Sequence, residues 1–477
     1  MSAPFEAQMA IFLRAIRHEL VEPGLPDDAF RSVRAQRLAA AIDFLIMRAE
    51  EGRAIDDEAS RSARDLLRAH GGAVLTEDPD GAAALAGAAR ARARRARNAG
   101  DRSVDHDDFV RALRDEAERR AARMAEALSG AARSREELFG AQRQETPPLT
   151  AEAVTAFLKA RFPANPDIAA TNFVRPAGVY SKENYSFDLV GLDADPIPAI
   201  LRRDRGFEII PTSASGEFEL LNALRAQGQP VARCIAAQTG SEPPLDGPCL
   251  IMKRVAGSPP GMARATPDDK RAWADMVLQL APALAGLHAV DVHRLPLAKN
   301  PESNREAFLA VLDDYHDRLQ RCQREPHPLV EAAFVWLYNH ASLIDDRRTL
   351  VHGDYDMRNV LFDKGRLTAV LDFELAHIGH PAEDLGYVAP DVLEALDYAE
   401  FLTAYRAAGG ADIAMELVHY FHVWRWTFHA VCNIVAFSGY HVGIHDDLFL
   451  GTVSFIEFRR VQEKLMALLP GGALHPA

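Results

Sequence analysis

The chain has 477 residues, more than one ordinary domain uses, and 48% of them are hydrophobic. The formal net charge of -14 argues against a nucleic-acid surface, and no uninterrupted apolar stretch is long enough to cross a bilayer. The 4 cysteines have no paired spacing and no basic-then-apolar leader is apparent, so we expect a cytoplasmic protein that binds neither nucleic acid nor membranes.

Residues 1–143 predict an all-helical domain. Apolar residues recur at steps of three and four from residue 5 to residue 20, as on one face of an amphipathic helix. No lysine occurs before Lys159, and this shift in composition supports a domain boundary. No catalytic constellation appears here, and the role of the domain is open. We interpret it as an interaction module through which the chain would form a homo-oligomer. Residues 144–150 contain two prolines and predict a linker.

The next segment, residues 151–257, shows β-strand patterns. Three runs of β-branched and aromatic residues predict paired strands at 172–175, 184–190 and 197–202. Gly178 and Ser181 lie in the loop between the first two strands. Such a loop can cover nucleotide phosphates with its backbone N–H groups, and an ordinary hairpin turn is the alternative. Residues 258–477 are mainly helical in pattern.

The most informative stretch runs from residue 350 to residue 387. A short apolar strand ends in a His-Gly-Asp triplet whose last residue is Asp354, and Asn359 follows five residues later. A hairpin with a polar turn then ends at Asp372. We expect these three side chains at one edge of a small sheet. Phosphoryl transfer needs such a set, because one carboxylate can accept the proton of the attacking hydroxyl while an amide oxygen and a second carboxylate hold Mg²⁺.

This stretch resembles the catalytic segment of the aminoglycoside phosphotransferase and choline kinase family, which has the protein-kinase-like fold. The family pattern is HGDxxxxN, a short hairpin, and then an Asp-x-Glu triplet. This chain matches it at His352, Gly353, Asp354, Asn359, Asp372 and Glu374. The resemblance implies an α+β, bilobal protein-kinase-like fold, with an antiparallel sheet in an N-lobe over 151–257 and a mainly helical C-lobe over 258–477.

The resemblance also implies roles for the matched residues. Asp354 would be the catalytic base, and Asn359 and Asp372 would be the magnesium ligands. His352 would brace the loop through hydrogen bonds. Asp384, farther along, would fix the loop or cap a helix.

In the N-lobe the resemblance points to a cation on the third strand that grips the nucleotide phosphates. Arg202 ends that strand, and arginine can replace the commoner lysine because it binds phosphate bidentately. Glu217 begins a helix and would pair with this arginine, with Glu219 as the alternative. Backbone groups from Met252 to Arg254 would bind the adenine.

The implied reaction is transfer of the γ-phosphate of ATP, with Mg²⁺, to a hydroxyl of a small molecule; GTP is the alternative donor. The Leu-Arg strand end is similar to the subgroup associated with acyl-CoA dehydrogenases, which implies a hydroxyacyl compound or a CoA thioester as acceptor. An aminoglycoside-type antibiotic kinase and a non-catalytic nucleotide-binding scaffold are the alternatives. Glu374, His377 and Arg425 are candidate substrate contacts, and a structural ion pair is the alternative for Arg425.

Overall fold

The computed structural model describes most of the chain from residue 149 onwards. The described residues are 61, 65–66, 88–89, 91, 107–115, 117, 149–175, 182–204, 214–240, 243–260, 267–297, 303–323, 327–441 and 448–472. Residues 107–115 are helical. Apart from these few positions, the predicted helical domain, its oligomer contacts and most of the linker lie outside the described residues. Gly178 and Ser181 also lie outside them.

The chain divides into two compact units. The first unit comprises Glu145–Asn304 and Ile344–His422. The second unit comprises Met1–Gln144, Arg305–Leu343 and Val423–Ala477. All residues of the candidate site except Arg425 belong to the first unit.

The first unit begins with a five-stranded antiparallel sheet in the spatial order β1-β2-β3-β5-β4. Its elements are α1 Ala151–Arg161, β1 Ala169–Val174, β2 Glu183–Val190, β3 Ile197–Arg203, α2 Glu217–Ala226, β4 Cys234–Gln238 and β5 Cys249–Lys253. Buried and partly buried positions alternate along β2 and β3, as a sheet with one covered face requires. Val154 and Leu158 of α1 belong to the core cluster that includes Phe187 and Leu201 of the sheet.

The rest of the described chain is mainly helical and carries two small two-stranded sheets. Its elements are α3 Pro267–His288, α4 Asn304–Cys322, α5 Pro328–His340, β6 Thr349–Val351, β7 Val360–Asp363, β8 Arg366–Val370, β9 His377–Gly379, α6 Ala382–Ala395, α7 Tyr398–Ala407, α8 Met415–His441 and α9 Leu448–Leu468. The predicted α+β fold class is confirmed. Among the helices of the described part, none is both long and apolar enough to cross a membrane.

The segment that follows β5 is tied to the β7–β8 hairpin. The backbone N–H of Ser258 donates to the Phe362 oxygen at 3.1 Å, and the Phe362 N–H donates back to the Ser258 oxygen at 3.0 Å. Gly257 adopts φ +112°, and a Cβ at this position would lie 2.7 Å from the Phe362 oxygen. Only glycine therefore allows this close approach. The Thr368 hydroxyl adds a hydrogen bond to the Ala256 oxygen at 2.8 Å.

In the second unit, aromatic side chains of α8 pack against α4. The Tyr315 ring centroid lies 5.4 Å from that of Trp424 and 5.1 Å from that of Phe428. The aromatic stripe of α8 is thus core in this part of the helix. Arg425 lies in the same helix, is 5% exposed, and has its guanidinium carbon 5.4 Å from the centroid of the Trp426 ring.

Candidate active site

The loop after β6 turns sharply at Gly353, so that Asp354 is presented at the end of the strand. Gly353 has φ +82°, in the left-handed region that favours glycine. A Cβ there would lie 2.8 Å from both the Cβ and the carbonyl oxygen of Leu375. The middle residue of the His-Gly-Asp triplet is therefore fixed both by backbone conformation and by space.

Asn359 is held against Asp354. Its Nδ2 donates to the backbone oxygen and to Oδ2 of Asp354, both at 2.8 Å. The N–H of Leu371 donates to the Asn359 backbone oxygen at 2.8 Å, which brings the residue before Asp372 beside this pair. The five-residue spacing from Asp354 to Asn359 thus closes a loop in which the two side chains touch.

The carboxylate of Asp354 has a raised pKa. Burial raises the pKa of Asp354 to about 6, the negative charge of Asp356 adds to the rise, and the positive charge of Arg358 opposes it. The Arg358 guanidinium lies 3.9 Å from Asp354 Oδ1 and donates through Nε to Asp356 Oδ2 at 2.8 Å. A carboxylate with this pKa can both hold and release a proton near neutral pH.

Arg202 joins the sheet to Asp372 and to helix α2. Its Nη1 donates to Glu217 Oε1 at 3.2 Å and its Nη2 donates to Asp372 Oδ1 at 2.8 Å. Burial opposes the charge of Arg202, yet the carboxylates of Glu217 and Asp372 raise its pKa. Glu217 Oε2 also accepts the backbone N–H of Phe373 at 3.1 Å. Asp372 itself has φ +64°, a strained conformation for a residue with a side chain.

Arg203, the next residue along β3, belongs to the opposite face of the strand. It is 2% exposed and donates through Nε to Glu183 Oε2 at 2.8 Å and through Nη1 to the Leu245 oxygen at 3.1 Å. Side chains alternate between the faces of a strand, so the two adjacent arginines have separate partners.

The acid Asp384 anchors the loop from the other side. Its carboxylate accepts the backbone N–H of His352 at 2.8 Å and that of Gly353 at 2.9 Å, and it lies 3.1 Å from His288 Nε2. Burial alone would raise the pKa of Asp384, but the hydrogen bond and charge of His288 hold it below its ordinary value. The His352 ring spans the loop, with Nε2 2.8 Å from the Leu371 oxygen.

We expect Asp384→Ala to lower the free energy of unfolding by about 3–5 kcal/mol, because two buried backbone N–H groups and a buried histidine lose their acceptor. Urea denaturation followed by circular dichroism measures the change. Asp384→Asn retains one acceptor oxygen and should lose less than the alanine variant. A loss below about 1 kcal/mol for alanine would contradict the anchoring role.

Glu374 meets a lysine that the sequence patterns did not single out. Lys182 Nζ lies 3.8 Å from Glu374 Oε2 and 3.0 Å from Asp204 Oδ1. Burial, followed by the charge of Asp372, raises the pKa of Glu374 to about 7. Lys182 directly precedes β2, and this position was the one sequence signal that it could be buried.

His377 begins β9 and pairs in register with Val351 of β6. Its Nε2 lies 3.2 Å from Glu383 Oε2, and its side chain is 41% exposed. Burial opposes protonation, but the charge of Glu383 and its hydrogen bond raise the pKa of His377 to about 9. At neutral pH the imidazole and the Glu383 carboxylate therefore form an ion pair.

The segment from Met252 to Arg254, which is predicted to bind adenine, lies at the C-terminal end of β5. The N–H of Lys253 donates to the Arg233 oxygen and the N–H of Arg254 donates to the Pro198 oxygen, both at 2.8 Å. Because these two donors are engaged within the sheet, contacts to a purine fall to the remaining backbone groups of the segment.

Two oxygen donors of the site suit a hard cation. The Nδ2 of Asn359 makes two hydrogen bonds to Asp354, and this fixes Oδ1 as the end of the amide that can bind a metal. At Asp372, Arg202 engages Oδ1 and leaves Oδ2. One amide oxygen and one carboxylate oxygen are the kind of ligands that Mg²⁺ takes when phosphates and water supply the others.

Comparison with known proteins places these residues in a family. The mouse (Mus musculus) protein "Acyl-CoA dehydrogenase family member 11" is 27% identical over 205 residues, which is 40% of this chain and 25% of that protein. Mouse "Acyl-CoA dehydrogenase family member 10" is 25% identical over 195 residues, covering 39% of this chain and 18% of its own length. The chain thus spans about a quarter or less of the curated relatives it matches.

Among solved structures, a putative aminoglycoside phosphotransferase from Ralstonia eutropha is 19% identical and covers 66% of this chain and 98% of its own, with a TM-score of 0.49. The aminoglycoside phosphotransferase APH(4)-Ia, solved with ADP and hygromycin B, is 17% identical. The match covers 67% of this chain and 99% of that chain, with a TM-score of 0.46. The model of the phosphotransferase enzyme family matches residues 175–420, more than half of the chain and all of the catalytic stretch. The chain belongs to the phosphotransferase enzyme family.

Proposed function

We propose that this chain transfers the γ-phosphoryl group of ATP, in the presence of magnesium, to a hydroxyl group of a small molecule. One observation carries the proposal: the hydrogen-bonded pair of Asp354 and Asn359 lies beside Asp372, which Arg202 holds from the sheet. Membership in the phosphotransferase enzyme family supports it. A base, an amide ligand, an acidic ligand and a cation are the parts that phosphoryl transfer to an alcohol requires.

Each part has a proposed role. Asp354 orients the acceptor hydroxyl and takes its proton, for which a pKa of about 6 is well matched to neutral pH. Arg202 holds the phosphates, and Glu217 fixes its guanidinium. Asn359 and Asp372 hold Mg²⁺, which when bound neutralises charge on the phosphate oxygens.

For the acceptor we propose a hydroxyacyl compound, either free or as a CoA thioester. The partial match to acyl-CoA dehydrogenase family members supports this class. His377, whose side chain is 41% exposed beside Glu383, remains a proposed acceptor contact. Glu374 remains a proposed acceptor contact in the first unit, and the role of Arg425, which lies in the second unit, stays a prediction.

Calorimetric titration of ATP and GTP, with and without Mg²⁺, tests the nucleotide site of the wild-type chain. We expect ATP to bind with an affinity that rises when Mg²⁺ is present, because the cation joins the phosphates to Asp372. No heat from either nucleotide, with or without Mg²⁺, would refute the proposal.

A second measurement separates the acceptors. ADP release is followed with hydroxyacyl-CoA thioesters, free hydroxy acids and aminoglycosides at equal concentrations. We expect acceptor-dependent ADP release with the acyl compounds. Release with aminoglycosides alone would favour an antibiotic kinase, and nucleotide binding without release in any arm would favour a non-catalytic scaffold.

A further inference from the structure

A second buried cation faces the same acidic triplet as Arg202. Lys182 is 1% exposed, and its ammonium lies 3.0 Å from Asp204 and 3.8 Å from Glu374. Removing an ammonium group from water costs several kcal/mol, about as much as a close ion pair returns. Replacing a buried ion pair with apolar residues often leaves the free energy of unfolding unchanged, so stability alone does not require a lysine at this position.

The register of the sheet places Lys182 and Arg202 on one face. Asn184 of β2 pairs with Arg202 of β3, so Lys182, two residues earlier, shares their face and is a diagonal neighbour of Arg202. The two cations contact alternate acids of the same triplet: Arg202 contacts Asp372, and Lys182 contacts Glu374.

Both cations are held in the same manner. Each has one carboxylate from the sheet or its following helix: Asp204 for Lys182 and Glu217 for Arg202. Each also has one carboxylate from the triplet. The described contact of Lys182 to Glu374, at 3.8 Å, is longer than its contact to Asp204, at 3.0 Å, so the ammonium can exchange Glu374 for another anion and keep Asp204.

The charge balance of this cluster makes each of its cations important for the binding of an anion. Within the part of the chain that the structure describes, four carboxyl groups face these two cations, so the cluster has no excess of positive charge; they are those of Asp204, Glu217, Asp372 and Glu374. A polyphosphate adds several negative charges, and it can bind only where cations lie close to its oxygens. Without Lys182, Arg202 would be the one cation left of this described pair.

We propose that Lys182 is a second phosphate-binding residue of the nucleotide site, which contacts the terminal phosphates while Arg202 holds the inner ones. The proposal rests on the proposed nucleotide-dependent function. It predicts that the ammonium turns from Glu374 to a phosphate oxygen when nucleotide binds. No covalent step is involved.

Dissociation constants for ATP, ADP and AMP, measured by calorimetry at fixed Mg²⁺, test the proposal. We expect Lys182→Gln to weaken ATP binding roughly 10–100-fold, as the loss of a charge-assisted hydrogen bond implies, and to leave AMP binding within about threefold of wild type. Lys182→Arg should restore most of the ATP affinity. Lys159→Gln, an equal change of charge at an exposed position of α1, should bind all three nucleotides as wild type does.

A paired variant keeps the test valid if the single variant folds poorly. Lys182→Gln with Asp204→Asn removes the lysine and its nearest carboxylate together, so less uncompensated charge stays buried, and it should show the same selective loss for ATP.

A second double variant tests whether the role of Lys182 is purely structural. If Lys182 only neutralises Glu374, then Lys182→Gln with Glu374→Gln will bind ATP as well as Glu374→Gln alone, and the proposal is wrong. Equal losses for ATP and AMP would also overturn it. If the wild-type chain binds no nucleotide at all, the proposed function fails as well, which distinguishes that result from a failure of Lys182 alone.

Discussion

Asp354→Asn is expected to lower turnover by roughly 10²–10⁴-fold, the usual contribution of a general base. The asparagine keeps the size of the side chain and one oxygen near Asn359, but it cannot accept the hydroxyl proton. Steady-state kinetics with saturating ATP and the acceptor identified by ADP release measure the effect. The dissociation constant of ATP should stay within about threefold of wild type, because Asp354 acts on the acceptor hydroxyl in the chemical step and not on the bound nucleotide.

The control for this variant is Asp363→Asn, which makes the same change of charge at an exposed position at the end of β7. It should turn over as wild type does. A wild-type rate in Asp354→Asn would remove Asp354 from the role of base and leave it as a partner of Asn359 only.

The raised pKa of Asp354 predicts how kcat/KM depends on pH. A base must be unprotonated in the free enzyme, and the pKa of Asp354 is raised to about 6 by burial. We therefore expect kcat/KM to be constant above that pH and to fall by about tenfold per unit below it. In Asp354→Asn this acidic limb should vanish from the residual rate, whereas a limb that persists would assign the titration to another group.

Asp372→Ala is expected to abolish the gain in nucleotide affinity that magnesium gives. The variant removes the only charged member of the proposed ligand pair, and a hard cation held by an amide oxygen alone binds weakly. Calorimetry of ATP binding with and without Mg²⁺ measures the loss. Without Mg²⁺ the variant should bind ATP at least as well as wild type, because Arg202 is released from its 2.8 Å contact with the acid.

Asp372→Asn serves as the matched comparison, since it keeps the shape and one oxygen while it removes the charge. It should lie between wild type and the alanine variant in Mg²⁺-dependent affinity. Tight binding that still depends on Mg²⁺ in the alanine variant would show that the metal is held elsewhere.

Local patterns predict the parts of this fold that depend on short-range geometry. The alternation of β3 is sufficient to assign Arg202 and Arg203 to opposite faces, where the structure gives them separate partners. The spacing of Asp354 and Asn359 is likewise short enough that loop geometry alone brings the two side chains into contact.

Contacts between distant parts of the chain are beyond such patterns. Arg202 and Asp372 are separated by 170 residues, and only the packing of the sheet over the hairpin joins them. Lys182 is a single position and β9 has three residues. Both are too short to show the two-residue alternation by which a strand is recognised in a sequence. The resemblance assigned Arg202 and Asp372 to one nucleotide site, but it did not predict their direct contact.

The bonds between Ser258 and Phe362 have a consequence for how this enzyme can move. Together with the hydrogen bond from Thr368 to Ala256, these bonds attach the chain after β5 to the β7–β8 hairpin, which directly follows Asn359. Opening of the five-stranded sheet away from the catalytic loop would then bend the chain between Lys253 and Ala256 and break the 2.8 Å hydrogen bond from the Val370 N–H to the Pro230 oxygen. Val255→Pro, a change between the predicted adenine-binding segment and these bonds, is expected to slow nucleotide exchange and leave the chemical step unchanged.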